Sequence, residues 1–85
     1  MIHTIKVTEF HIATGKKRKC GLCPVALALT DHFNTPCSVG YSFGRIGPEN
    51  VSTWKIIEIP KETAALIRAF DDGHYLSPFS FEVEL

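Results

Sequence analysis

Polar and apolar residues alternate from Met1 to Thr8. His3, Ile5 and Val7 share one side and Ile2, Thr4 and Lys6 the other, which predicts a β-strand. Thr8 is placed to cap a short helical turn through Glu9, Phe10, His11 and Ile12, closed by Gly15. The spacing then becomes helical from about Pro24 to Phe33. Val25, Ala28, Leu29 and Phe33 recur on one face, and Ala26 and Leu27 widen it, so the helix is expected to be buried. Pro24 suits a first helical turn, and Asn34-Thr35-Pro36 supplies the stop.

Strict alternation returns between Cys37 and Ile46. Cys37, Val39, Tyr41 and Phe43 fall on one face, and Ser38, Gly40, Ser42 and Gly44 on the other, which predicts one continuous strand. Gly47-Pro48-Glu49-Asn50 reads as a turn and Val51 to Ile59 as a second strand, together an antiparallel hairpin. Pro60 opens a helix from about Lys61 to Asp71, with a core stripe of Thr63, Leu66, Ile67 and Phe70, and Gly73 ends it. Phe79 to Leu85 forms the last strand, with Phe79, Phe81, Val83 and Leu85 inward and Ser80, Glu82 and Glu84 outward. The order β-α-α-β-β-α-β predicts an α+β domain: a four-stranded, mainly antiparallel sheet with two helices packed on one face, like a split βαβ unit.

Eighty-five residues, 45% of them hydrophobic and 21% charged, fit a single soluble domain. Nine Lys and Arg balance nine Asp and Glu, so no global field recruits nucleic acid or an anionic membrane. The charge-free stretch Cys20 to Thr30 contains Pro24 and is too short to span a bilayer, and no membrane partner is expected. Met1 to Phe10 lacks the apolar run of a signal peptide. With three cysteines, that favours a reducing cytoplasm over a disulfide framework. A chain this short spends most of its apolar residues on its core, which favours a binding surface over a deep catalytic cleft. No Walker-type glycine loop, G-x-S-x-G, H-E-x-x-H or paired-carboxylate spacing occurs, so no catalytic residue is assigned.

Charge is nevertheless polarised. Lys16, Lys17, Arg18 and Lys19 hold four of the nine cations, leaving five against nine acids elsewhere. They lead into the start of the apolar helix, whose unsatisfied N–H groups carry a partial positive charge. That makes these four residues the candidate site for an anion: a nucleotide phosphate, a nucleic-acid backbone or an acidic partner. A solvated loop that keeps a small protein soluble is the plainer reading. Exposed aromatics beside the cations would suit nucleic acid, and Phe10 is one such candidate.

Cys20-Gly21-Leu22-Cys23 is the second feature. A thiol at a helix start beside four cations should favour the thiolate, so Cys20 could attack and Cys23 resolve. The alternative is zinc, which needs four ligands. His32 lies about 13 Å along the helix from Cys23, at 1.5 Å per residue, and cannot join. Cys37 is excluded for the same reason, leaving His11 and His3 as additions to Cys20 and Cys23. A lone CxxC is a weak zinc signal, and small, partly buried thiols explain it equally well. His74 beside Asp71 and Asp72 has no nucleophile fixed near it. Trp54 and Tyr41 would be interface anchors if exposed, although burial is expected for the single tryptophan.

The segment Thr8-x-x-His11-Ile12-x-x-Gly15-x4-Cys20-x-x-Cys23-Pro24-Val25-Ala26-Leu27-Ala28-Leu29, with the ending Phe70-Asp71-x-Gly73-x4-Pro78-Phe79-x-Phe81, resembles a group of small uncharacterised proteins from bacteriophages and bacteria. The resemblance spans most of the chain and carries over no functional residue. It implies an accessory factor in the host cytoplasm that binds and redirects or inhibits a host machine, as anti-CRISPR proteins do. A small core and a short edge strand would both gain from a homodimer.

Overall fold

The computed structural model describes residues 2–47 and 54–85. Strand β1 (Ile2–Val7) is followed by helices α1 (Glu9–Thr14) and α2 (Pro24–Phe33). Strands β2 (Cys37–Val39), β3 (Phe43–Ile46) and β4 (Lys55–Glu58) come next, then helix α3 (Lys61–Asp71) and strand β5 (Phe79–Glu84). Among the described residues the fold is α+β with three helices.

Its strands form two antiparallel sheets, not the expected single four-stranded one. β1 pairs with β5, running from Ile2 opposite Glu84 to Val7 opposite Phe79. β2, β3 and β4 form a meander in chain order. The sheets adjoin where β4 lies against β5.

The extra strand arises because the stretch expected to be continuous folds back at Tyr41-Ser42. The Gly40 N–H donates to the Phe43 carbonyl at 2.8 Å, and Val39 pairs with Gly44. A two-residue turn shifts the alternation by one. Cys37 and Val39 point inward as expected, but Gly44 and Ile46 follow them, while Tyr41 and Phe43 are exposed. Gly44 suits that inward place, because an added Cβ would lie 3.2 Å from Ile57 and 3.3 Å from Ile59 side-chain atoms. The Pro48-Glu49-Asn50 part of the expected turn, residues 51–53 of the expected second strand, and Met1 lie outside the described residues. Trp54 is 40% exposed, against the expectation of burial.

Helix α2 is the centre of the molecule. Pro24, Val25, Ala26, Ala28 and Leu29 are buried, packed with Ile5 and Val7 of β1, Ile57 of β4 and Val83 of β5. Burial of these side chains stabilises the fold by about 25 cal/mol per Å² of apolar surface removed from water. The helix and the loop before it also cover the outer edge of β2. The Cys37 N–H donates to Thr30 Oγ1 at 3.1 Å and the Val39 N–H to the Cys20 carbonyl at 2.8 Å. An edge otherwise open to another strand is thereby closed.

The carboxyl ends of α2 and α3 follow capping rules. Asn34 ends α2 in the left-handed conformation (φ 54°). Gly73 (φ 92°) ends α3, its N–H bonded to the Phe70 carbonyl and that of His74 to the Ala69 carbonyl, a Schellman arrangement. Gly15 differs. Its backbone is extended, and glycine is required because a Cβ would lie 2.7 Å from Pro24 Cδ, where the end of α1 presses on the start of α2.

Candidate functional site

The basic loop is a structured turn. The Lys16 N–H donates to the Leu22 carbonyl at 2.8 Å, and the Leu22 and Cys23 N–H groups both reach the Lys19 carbonyl at 3.0 Å. Arg18 adopts φ 59°, a left-handed backbone that costs energy for a residue with a Cβ. One contact from far along the chain holds it there: the Arg18 N–H donates to Asp71 Oδ1 at 2.8 Å. The second carboxylate oxygen, Oδ2, accepts the Tyr41 hydroxyl at 2.7 Å. Asp71 thus ties the loop to the end of α3 and to the tip of the β2–β3 turn.

Lys17, Arg18 and Lys19 are arranged in two directions. The Lys17 ammonium lies against Gly73, 3.5 Å from where a Cβ would stand. That places it at the carboxyl end of α3, where a cation is favoured. Arg18 and Lys19 instead rim a mostly apolar cavity of about 200 Å³, which Cys20, Cys23, Val39, Tyr41, Ile67 and Asp71 also line. The Arg68 guanidinium lies over the Tyr41 ring, 4.7 Å from its centre. Burial is low for all four loop residues, so their charges meet solvent.

The amino end of α2 supplies fewer donors than expected. Pro24 has no N–H, the Leu27 N–H is bonded to the Cys23 carbonyl at 2.9 Å, and the Val25 and Ala26 amides face the Cys23 sulfur. The attraction for an anion therefore comes from the Arg18 and Lys19 side chains at the cavity mouth.

Cys23 is the N-cap of α2 but makes no side-chain capping bond. Burial pushes its thiol above the ordinary value. The Ala26 and Val25 amides oppose that rise, and the charges of Asp71 and Cys20 add to it. The expected thiolate-favouring environment is therefore reversed at Cys23, because desolvation outweighs the amides at the helix end. Cys20 is exposed, Cys37 is buried, and all three thiols are free.

Nor does the zinc set of Cys20, Cys23 and His11 come together. Both His11 nitrogens are in use: Nδ1 accepts the Thr8 N–H at 3.0 Å, and Nε2–H donates to Asp31 Oδ2 at 2.6 Å. Among the described residues no three His, Cys, Asp or Glu side chains converge as metal ligands. Phe10 is exposed on α1, and His74 is exposed beyond α3. Asp71, Tyr41 and Arg68 are the residues that sequence spacing did not connect to the basic loop. The unpaired look of Asp71-Asp72 at a helix end is the one local sign of such a role.

No protein-family model, curated protein or solved structure matches the chain. No helix among the described residues is long and apolar enough to cross a membrane.

Proposed function

We propose that this protein is a small non-enzymatic binding module that engages an anionic protein surface through Lys16, Lys17, Arg18 and Lys19. The observation that carries the reading is the Asp71 clasp on the Arg18 N–H. A merely solvated loop has no need of a strained backbone held by a carboxylate 53 positions away. A loop fixed in advance presents its cations without the entropic cost of ordering them on binding. Steering by such a lip raises association rates and selects acidic partners.

The accessory or inhibitor role, with anti-defence activity in a host cytoplasm as its setting, rests on the resemblance to small bacteriophage and bacterial proteins. The test is a pull-down from host extract with the wild type and a variant carrying alanine at all four positions. A partner retained by the wild type and lost by the variant, with unchanged thermal unfolding, is expected. Equal retention by both removes the loop from the account.

A second reading, single-stranded nucleic acid, has one observation in its favour. Tyr41 is an exposed ring with Arg68 stacked on it, beside Arg18 and Lys19 at the same cavity. Steep salt dependence of oligonucleotide binding, lost in Tyr41→Ala, would favour it over an acidic protein.

A further inference from the structure

Three of the four histidines gather around the last turn of α2, and two of them face each other. His3 Nδ1 on β1 lies 3.2 Å from His32 Nε2 on α2. Their ring planes stand at 89°, and Phe33 packs against both, with centroid separations of 5.0 Å to His3 and 4.7 Å to His32. His32 is exposed and His3 half-buried, so an ion from solvent reaches both nitrogens.

The separation is informative. Two imidazole nitrogens bound to one tetrahedral zinc at 2.0–2.1 Å stand about 3.3–3.4 Å apart. The observed pair is already at that distance, and its members sit on different rigid elements. β1 is fixed by its ladder to β5, and α2 by the core. If the rings rotate so that both lone pairs meet at one point, a metal would there replace the proton the two nitrogens share.

We infer that His3 and His32 form a two-histidine site for a divalent late transition metal of the zinc class. Imidazole suits these ions, and the remaining coordination positions stay open to water. Such a site is separate from Cys20 and Cys23. A bound ion would clip β1 to the carboxyl end of α2 and so favour the folded state.

The test is calorimetric titration of zinc chloride into the reduced wild-type protein and into the His32→Gln, His3→Gln and Cys20→Ser variants. The site predicts saturable binding of one ion per chain, weakened at least tenfold by either histidine change and left intact by Cys20→Ser. Ring nitrogen signals in an NMR titration should shift for His3 and His32 and stay put for His11 and His74. Undiminished zinc binding in His32→Gln, loss of binding in Cys20→Ser, or no saturable binding by the wild type would each overturn the assignment. His32 is exposed, so its replacement leaves the fold intact, and a thermal melt of each variant checks this.

Discussion

His11 uses its two ring nitrogens for two different contacts. Nδ1 accepts the Thr8 N–H at 3.0 Å and completes a capping box, while Nε2–H donates to Asp31 Oδ2 at 2.6 Å and ties α1 to α2. An acceptor at Nδ1 fixes the proton on Nε2. Histidine therefore stands at the third helical position, where glutamate or glutamine usually serves, and its rigid ring accepts behind at Nδ1 while donating ahead from Nε2.

His11→Ala removes both contacts and leaves a void at a site 6% exposed. A loss of about 2–3 kcal/mol is expected from the missing cap and the missing bond to a charged acceptor. His11→Gln restores the cap alone and should recover about 1 kcal/mol of it. Urea unfolding midpoints measure both.

Gly15→Ala separates two opposing effects. The extended backbone of Gly15 accepts any residue, and by unfolded-state entropy alone alanine would stabilise by about 0.4–1 kcal/mol. The new methyl would lie 2.7 Å from Pro24 Cδ and 2.9 Å from the His11 carbonyl oxygen. Overpacking of that kind costs about 1–3 kcal/mol, so net destabilisation is expected in thermal unfolding.

Thiol reactivity should divide one to two. Cys20 is exposed, whereas burial raises the thiols of Cys23 and Cys37 above the ordinary value. A disulfide-exchange reagent should modify one thiol rapidly in the native protein and all three in urea. The same shifts set a pH dependence. The native state holds these two protons more tightly than the unfolded chain, so their contribution to stability is complete below the ordinary thiol range. It is lost as pH rises through the raised values, and the urea midpoint should fall on that alkaline side.

Tyr41 reports on the Asp71 clasp. Its hydroxyl proton is retained to higher pH than usual, first because it is donated to Asp71 and then through desolvation. The contact is therefore present below the ordinary phenol range and is lost as pH rises through the raised value. In Asp71→Asn the phenol transition of Tyr41, followed by ultraviolet absorbance, should move to lower pH.

Much of the fold was legible because each signal was local. Thr8, Pro24, Asn34 and Gly73 mark helix ends that the structure keeps, and the inward stripes of β1 and β5 follow their alternation except at Leu85, which lies beyond the end of β5 and is exposed, not inward as expected. The β2–β3 segment misled because each arm keeps its own period of two, while the two-residue turn between them reverses the chain and shifts the inward positions from Cys37 and Val39 to Gly44 and Ile46. Nothing local distinguishes Gly40-Tyr41-Ser42-Phe43 from a strand except its two small residues. The site was half legible. Lys16 to Lys19 stand together in the chain, but Asp71 and Tyr41 reach them only through folding. The CxxC pair promised thiolate chemistry, and the depth at which α2 is buried reversed that at Cys23.

The most direct test of the account is an NMR titration of the labelled protein with a short polyglutamate peptide. Amide shifts confined to Arg18, Lys19, Cys20 and the first turn of α2, falling with added salt and absent when the four loop cations are alanine, are the predicted result. Shifts centred instead on Lys55 or Lys61, or undiminished in the alanine variant, would contradict it.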